Sequence, residues 1–436
     1  MNSRSSKHVI LRLYLYMYVV EPILILVHNK KSLAGLTILS LFIALAIYGQ
    51  LFVSESQVSI NKDLQGIGLP PIFVDRKSYL ESAARFYLED KMKSLEPDIQ
   101  IVVDQLTIFY GVNESRDELQ KVLRACTKEY VLGNVPSIAS CIEDRLKAEL
   151  PKDAKEFIVD YLQHRADEIL NEYNRIKETI LAKYGDKYPL GTDKDGRDLL
   201  AVLAKGTAPL LSASLLAGLI STLIGVAMGI TAGYLGGWFD KALMWVTDVV
   251  LCIPSLPLYL MISYVMLLHK MQFNPLIVAC VISITAWAGL ARAVRSQILS
   301  LKTQPFVEVC RSLGLSTMHI VFRELVPNVA GYIAINFIFS ATGAIYAITG
   351  LFFLGALPQD PTQWGIQLSY WDQNCGLAAI GNPVCFWWFV WIVGALVLLQ
   401  EGFILLSYGI DEIFNPRLRA KYFRRLEKIV GKKSVQ

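Results

Sequence analysis

Charge is scarce in this sequence. Only 18% of its 436 residues are Asp, Glu, Lys or Arg, whereas soluble domains carry about a quarter, and 53% are hydrophobic. The charge is also uneven, because residues 55–187 hold 19 Lys and Arg with 24 Asp and Glu, and the rest of the chain is net basic. This distribution excludes a single soluble globule, a disordered chain and a nucleic-acid-binding protein, since the basic surplus flanks apolar segments. We expect a multi-pass membrane protein that carries one soluble domain.

Six segments are free of charge, or nearly so, over the roughly 20 residues that a helix needs to cross a bilayer. In chain order they are 33–53, 206–239, 242–268, 275–290, 325–359 and 384–408. The third contains Asp248 and is predicted to bend at Pro254 and Pro257, and the last contains Glu401. The sequence therefore predicts six transmembrane helices, two of which carry an acidic residue.

Basic residues at the ends of these spans predict the orientation in the membrane. They lie at three places, which are Lys30 with Lys31, Arg292 with Arg295, and a run that begins at Arg417. Both termini and the 292–324 loop are therefore expected in the cytoplasm. Residues 55–205 and 355–383 are expected outside. Before the first span, residues 9–27 are apolar but interrupted by charge, and we expect an interfacial helix there.

The acidic segment 55–187 is predicted to be a compact helical domain outside the membrane. Helical spacing occurs over 79–93, 116–130 and 154–184, with Pro and Gly between them. His164 is its only histidine, so no metal-ligand cluster is visible. We expect a docking domain without chemistry.

The cysteines divide according to the expected side of the membrane. Cys126 and Cys141 fall in the acidic segment, and Cys375 and Cys385 fall in the second outside loop. The other three lie within spans or in the cytoplasm. Neither local pair has the spacing of a zinc site, and the exterior is oxidising. The sequence predicts two disulfides, Cys126–Cys141 and Cys375–Cys385, although chance could also produce this division.

The motifs of common catalytic sites are missing. The sequence has no GxxxxGK[ST] phosphate loop, no dinucleotide-binding fingerprint, no HExxH and no GxSxG. We therefore expect no catalytic residues, no bound metal and no cofactor. The function must come from the spans and their loops.

One cytoplasmic loop is the most informative. It runs from Phe306 to Leu315, with Glu308, Arg311 and Gly314 within it, and Pro327-Asn328 follow at the start of the fifth span. This arrangement resembles the EAA loop of binding-protein-dependent ABC importer permeases, whose coupling helix enters a groove of the ATPase. The resemblance assigns Glu308, Arg311, Gly314 and Leu315 to ATPase coupling, with Arg311 on the solvent side.

The match to the EAA loop is incomplete at three positions. Val309 and Cys310 stand where the family pattern has two alanines, and Glu324 stands near the position of a family histidine.

Further motifs occur in the family's order. Residues 189–200 resemble the PLGTDxxGRD signature outside the second span, with Gly191, Asp193, Gly196, Arg197 and Asp198 as its matching residues. Similar matches follow at 232–240, 254–256, 287–295, 353–365 and 415–419. Together they cover about 22–54 and 188–420. The chain resembles the C-type subunit of the dipeptide/oligopeptide/nickel permease group.

This resemblance implies an all-α, six-span type I ABC importer permease. The implied partners are a paralogous permease, two cytosolic ATPases that bind ATP and Mg, and an extracytoplasmic solute-binding protein. The implied place is the cell membrane, with lipid contact and no nucleic acid. Peptides are the expected solute, with oligosaccharides and metal chelates as alternatives. The expected divisions are 1–31 (interfacial), 32–54 (first span), 55–187 (inserted domain), 188–415 (permease core, with its coupling loop at about 296–328) and 416–436 (basic tail).

The two intramembrane acids leave alternatives open. Asp248 either relays protons or forms a buried ion pair with Arg292 or Arg295. Glu401 either faces the translocation cavity or lies near the cytoplasmic interface. If both acids coupled ions, the chain would be a secondary transporter, although the inverted repeat typical of that class is not seen. A membrane receptor is a further alternative, but it would need neither six spans nor the signature.

Overall fold

The computed structural model describes residues 21–62, 64–65, 68–76, 79, 95–108, 116–131, 135–146, 149–184, 187–376 and 381–414. Its longer helices, in chain order, are α1 (Glu21–His28), α2 (Lys30–Leu51), α3 (Glu96–Ile108), α4 (Arg116–Val131), α5 (Ile138–Leu146), α6 (Lys152–Ile158), α7 (His164–Tyr184), α8 (Leu199–Leu235), α9 (Gly237–Cys252), α10 (Ser255–Leu268), α11 (Pro275–Lys302), α12 (Pro305–Ser312), α13 (Val326–Phe353), α14 (Trp364–Asn374) and α15 (Pro383–Phe414). A π-helical turn, Val159–Gln163, joins α6 to α7, and another, Ile320–Leu325, leads into α13. The expected interfacial helix (9–27) and basic tail lie largely or wholly outside the described residues.

Apolar helices dominate the described chain, and no strand occurs in it beyond one isolated bridge between Thr192 and Asp198. Five helical stretches are long and apolar enough to cross a membrane, namely α2, α8, α11, Thr317–Phe353 and α15. The pair α9–α10 makes a sixth if it counts as one span. The prediction of an all-α, multi-pass membrane protein is confirmed.

The third span is two helices rather than one bent helix. The axes of α9 and α10 meet at 79°. Ile253 adopts an extended backbone (φ −79°, ψ 122°) because a residue before proline avoids the helical region, and Pro254 then precedes α10. The prediction of a bend is confirmed at Pro254, whereas Pro257 lies in the first turn of α10, where proline is tolerated.

The second span starts earlier than predicted. Its helix begins at Leu199, not near residue 206, and it has 37 residues, or about 55 Å of length. The Asp198 carboxylate accepts a hydrogen bond from the Leu200 backbone N–H at 3.0 Å, which caps the first turn. Since the hydrocarbon core is about 30 Å thick, α8 extends well beyond it.

The described chain forms two compact units. The first contains residues of 21–58, 201–373 and 389–414. In it α8 and α11 pack closely, because Gly229 has no side chain and a Cβ there would lie 2.6 Å from the Ala291 carbonyl oxygen. Gly225 and Gly233 meet α11 in the same way. These three glycines therefore form a packing surface on α8.

The first and last spans also pack closely within this unit. A Cβ on Gly35 would lie 2.7 Å from the Leu406 backbone nitrogen, and Ser32 lies against Gly409. Asn29 begins α2, accepting hydrogen bonds from the backbone N–H groups of its first turn, and its amide donates to the Glu412 carboxylate at 2.6 Å. Small residues therefore bring the first half of α2 and the last turns of α15 together.

The second unit, residues of 59–200 and 374–388, has a helical core of its own. Helices α3 to α7 contribute buried apolar side chains to it, among them Val102, Leu119, Ile142 and Leu162. The predicted helices at 116–130 and 154–184 are present, although the sequence pattern missed α3 and α5. The predicted helix at 79–93 lies almost entirely outside the described residues.

A smaller cluster in this unit joins distant parts of the chain. Leu64, Leu69, Ile180 and Tyr184 pack with Val384, which lies in the first turn of α15. The unit therefore contains residues 374–388 and the signature loop in addition to most of the segment 55–187. The predicted domain boundaries remain predictions.

Both expected cysteine pairs are bonded in the structure. The Cα atoms of Cys126 and Cys141 are 5.6 Å apart, and those of Cys375 and Cys385 are 5.8 Å apart. The first bond links α4 to α5 inside the helical core. The second holds the first turn of α15 to the residue that follows α14.

The Cys126–Cys141 bond should stabilise the helical core. Changing both residues to Ser should lower its unfolding free energy by about 3 kcal/mol, because closing a loop of this size removes chain entropy from the unfolded state. Mass mapping without reduction, together with limited proteolysis in urea, measures both the bond and its effect, with Cys280→Ser as the control. Free thiols at both positions in protein purified without reductant would contradict the assignment, and the same mapping tests Cys375–Cys385.

Candidate functional site

The loop after the fourth span folds into the short helix α12. Pro305 occupies its first turn, where the missing N–H is no loss. Gly314 ends it with a positive φ of 73°, and its N–H donates to the Arg311 carbonyl oxygen at 2.9 Å. The Leu315 N–H donates to the Cys310 carbonyl oxygen at 3.2 Å. This is the left-handed helix ending that glycine favours, so Gly314 sets the length of α12.

One face of α12 is buried against its own subunit. Val307 is fully buried, and Cys310 and Leu315 are partly buried beside it. Their cluster includes Val294 and Ile298 of α11 together with side chains of α8, the second π-helical turn and α13. Helix α12 is therefore fixed to three membrane helices through apolar packing.

The opposite face of α12 is exposed and also apolar. Val309 is 58% exposed and Leu313 is 72% exposed. Phe306, Met318 and Phe322 are exposed large apolar side chains on the same loop. We call these five residues the coupling surface, after the role that the sequence analysis expects of this loop. Exposed apolar side chains that form a patch are typical of surfaces that contact another protein.

The four residues that the sequence assigned to coupling lie on different sides of this loop. Glu308, Arg311 and Gly314 are exposed, whereas Leu315 packs into the buried cluster. The Arg311 guanidinium lies 5.8 Å from the centre of the Tyr234 ring, at the end of α8. The apolar coupling surface was missed by the sequence pattern, which emphasised the charged and glycine positions.

Ion pairs connect α9 to α11 near α12. The Arg295 guanidinium donates to both carboxylate oxygens of Asp240, one of them at 2.6 Å. Arg292 donates to Asp248, whose side chain is 57% exposed. Asp248 therefore has a cationic partner, as one of the two sequence alternatives proposed, but the pair lies at the surface of this chain and is not buried.

Glu401 lies on the exposed side of α15. Val397, Leu398 and Tyr408 are exposed on the same helix, whereas the neighbouring Gln400 is buried. Both polar atoms of the Gln400 amide are buried without a hydrogen-bond partner among the described residues. A charged side chain is costly in the hydrocarbon core, so the two sequence alternatives stay open, a polar or protein neighbour in the translocation path or a position near the cytoplasmic interface.

The signature residues form a compact turn in the second unit. Asp193 is fully buried, and its carboxylate accepts hydrogen bonds from the backbone N–H groups of Asp195 and Arg197, at 2.9 and 2.8 Å. The Arg197 guanidinium donates to it at 2.9 Å and to Asp195 at 2.8 Å. Burial raises the pKa of the Asp193 carboxyl, and the charge and hydrogen bonds of Arg197 act to lower it. The pair organises the turn rather than presenting a reactive group.

Two glycines let this turn approach the rest of the unit. Gly191 has a φ of 84°, and a side chain there would collide with the backbone of Leu69 and Pro70. Gly196 has a φ of 76° and lies against Asn61 and Leu64. Asp198 caps α8, so the signature turn leads directly into the first turn of that helix.

A hollow with a mixed polar and apolar lining lies in the first unit, with a volume of about 640 Å³. Its lining includes the side chains of Gln50, Gln272, Gln359, Gln363, Lys205 and Asp360. Amide groups both donate and accept hydrogen bonds, so this lining can bind a peptide main chain or a similar polar group. No sequence motif indicated these residues, because they come from four separate segments. Within the described residues, no group of three or more His, Cys, Asp and Glu could hold a metal ion.

The sequence of this chain is similar to those of known membrane components of transport systems. Residues 225–420 match the family described as binding-protein-dependent transport system inner membrane component. The chain is 31% identical over 241 residues to the oligopeptide transport system permease protein OppC of Mycobacterium tuberculosis, covering 55% of this chain and 80% of that protein. It is 32% identical over 231 residues to the dipeptide transport system permease protein DppC of Bacillus subtilis, covering 52% of this chain and 68% of that protein. It is also 32% identical over 230 residues to the glutathione transport system permease protein GsiD of Shigella dysenteriae, covering 52% and 72%.

The close approach at Gly191 generates a prediction. Gly191→Ala should lower the free energy of unfolding by about 1–3 kcal/mol, because alanine is strained at positive φ and its Cβ would meet the Leu69 backbone. Gly381→Ala, where a Cβ meets nothing within 4 Å, should have little effect and is the matched control. Thermal unfolding of the two purified variants measures the difference. Equal melting temperatures would show that the turn is not held as described.

Proposed function

We propose, from the premise that this chain belongs to the family of binding-protein-dependent transport system inner membrane components, that it is the C-type permease subunit of an ATP-driven importer of dipeptides and oligopeptides. The chain is a multi-pass, non-catalytic subunit. The observation that carries the proposal is α12, which has one apolar face buried against three membrane helices and another exposed. Such a helix can receive a movement from a partner and pass it to the spans.

The partner at the coupling surface is a cytosolic ATPase subunit in this proposal. Glu308, Arg311, Gly314 and Leu315 are the assigned coupling residues, with the exposed apolar side chains around them as the larger contact. Two ATPases bind ATP and Mg, and hydrolysis takes place in those subunits. This chain then needs no cofactor, and its part is to convert ATPase closure into a change of the membrane helices.

A second, paralogous permease completes the translocation path. The exposed face of α15 supports this proposal. The Glu401 carboxylate would be energetically unfavourable in lipid, whereas a protein interface or a water-filled cavity can accommodate it. Solute then passes between the two permeases. The sites of Asp248 and Glu401 need no ion coupling, because Asp248 is paired with Arg292 and the energy comes from ATP.

The proposed orientation places α12 and both termini in the cytoplasm of a cell whose plasma membrane holds the protein. Lys302 supports it, together with Lys30, Lys31, Arg292 and Arg295, because cytoplasmic loops are enriched in Lys and Arg. The acidic insert, 55–187, then lies outside with its disulfide. There we propose that it enlarges the surface on which the solute-binding protein lands. The remaining divisions follow the sequence analysis, with the permease core at 188–415.

Substitutions in and at the end of α12 test the coupling proposal. Gly314→Pro should abolish solute-stimulated transport while the complex stays assembled, because proline cannot adopt the positive φ that ends the helix. Glu308→Lys should do the same by reversing the charge beside the coupling surface. Transport into proteoliposomes and co-purification of the ATPases measure the two properties. Ser312→Ala, on an exposed residue whose hydroxyl bonds only within the helix, is the control, and normal transport in either main variant would refute the assignment.

Removal of the helical core of the insert tests whether this domain contributes to the binding of the solute-binding protein. Replacing residues 95–166 by a short Gly/Ser linker, while keeping Leu64, Leu69 and Tyr184 in place against Val384, should raise the apparent Michaelis constant for the solute-loaded binding protein. Charge-steered encounter should also become less sensitive to salt. ATP hydrolysis without the binding protein should stay near its starting value. Unchanged transport kinetics would exclude a role in delivery.

A further inference from the structure

An exposed apolar patch in the second unit has no role in the transport steps above. Ile72 and Phe73 form the tip of a short loop, and Phe73 is 62% exposed. The Phe73 ring meets the Trp387 ring edge-on, with their centroids 4.7 Å apart. Phe386 is exposed too, and its ring lies 5.3 Å from that of Trp387. We call these four residues the aromatic patch, which joins residues more than 300 positions apart in the sequence.

The loop that presents Ile72 and Phe73 is held at both ends. On one side, Leu69 exchanges two hydrogen bonds with Thr192 of the signature, at 2.7 and 2.8 Å. On the other side, the buried Arg76 guanidinium donates to the carbonyl oxygens of Pro70, Tyr184, Lys187 and Tyr188, at 2.7 to 3.0 Å. Two apolar side chains at a tip that is fixed in this way are presented to a partner at a defined place.

The other half of the patch is equally fixed, and it lies at the start of a helix that can span the membrane. Phe386 and Trp387 are the fourth and fifth residues of α15, which is long and apolar enough to span the membrane. At 1.5 Å per residue, Trp387 lies about 6 Å along the axis from the start of that helix. Val384 and the Cys375–Cys385 bond hold this turn to the second unit. The patch thus lies at one end of a helix that can span the membrane.

We propose that Ile72, Phe73, Phe386 and Trp387 form a lipid anchor, which inserts into the boundary between headgroups and acyl chains and fixes the loop at 69–76 to the membrane surface. Aromatic side chains are enriched at this depth, and exposed apolar side chains continuous with a membrane span meet lipid there. The patch has no charged member. The signature turn acquires a second task in this proposal, because Thr192 and Gly191 hold the loop that carries the anchor.

Collision measurements on the assembled transporter in phospholipid nanodiscs test the anchor. Cys252, Cys280 and Cys310 are replaced by Ser or Ala, and a nitroxide is attached to a cysteine at position 73. Its collision rate with oxygen, which concentrates in lipid, should exceed its rate with a water-soluble nickel chelate severalfold. Ile108→Cys, on a residue of the same unit with 63% exposure but outside the patch, is the control and should show the opposite order.

Two outcomes would overturn the proposal. A label at position 73 that is as accessible to the nickel chelate as the label at 108 would place the patch in water. A label that is shielded from both reagents would show that a protein partner, such as a second permease, covers it. If Phe73→Cys does not fold, Ile72→Cys gives the same measurement, since the contact of Ile72 with Pro189 is made by its backbone N–H.

Discussion

The close approach of α8 to α11 is the contact on which the rest of the permease core depends. Gly229 allows it, because any side chain there would collide with the Ala291 carbonyl. The approach brings three side chains from the end of α8 into the same apolar cluster as Val307. The apolar cluster that holds α12 therefore depends on the close packing of α8 and α11. A larger residue at 229 would separate the spans and open the cluster, which would loosen α12 without touching it.

The absence of charge correctly indicated where the spans lie in the sequence, but it did not indicate the residues at which their helices begin and end. Both results follow from where lipid excludes charge. Charge is excluded from hydrocarbon and permitted immediately outside it. Helix α8 continues seven residues before the predicted start, past Lys205, because Asp198 caps it in a polar region. The 79° angle between α9 and α10 has a second cause. Pro254 requires a break, but the direction of α10 depends on packing, including the Tyr259 hydroxyl that donates to the Ile282 carbonyl oxygen at 3.0 Å.

The second unit was harder to predict because its helices are indicated by local sequence patterns, whereas its contacts join segments that are distant in the sequence. A proline between helical patterns favours a break, but Pro97 lies in the first turn of α3, where proline is tolerated. The packing of Val384 against residues 64–69 leaves no local pattern in either segment. At the candidate site, the motif located α12, but it could not tell the buried Val307 from the exposed Val309. Both faces of that helix are apolar, so periodicity alone selects neither.

Two apolar faces on one short helix are what a mechanical coupling requires. The buried face is close-packed, and close-packed side chains transmit a displacement instead of absorbing it. A push on Val309 and Leu313 would therefore move Val307, and with it α11, α8 and the start of α13. Small shifts at such contacts become large ones because packed interfaces switch between discrete arrangements. Helix α8, which is about 55 Å long, would carry such a shift along its length. Pro209 lies inside that helix, at a point where the missing N–H leaves one backbone bond unmade and bending is least costly.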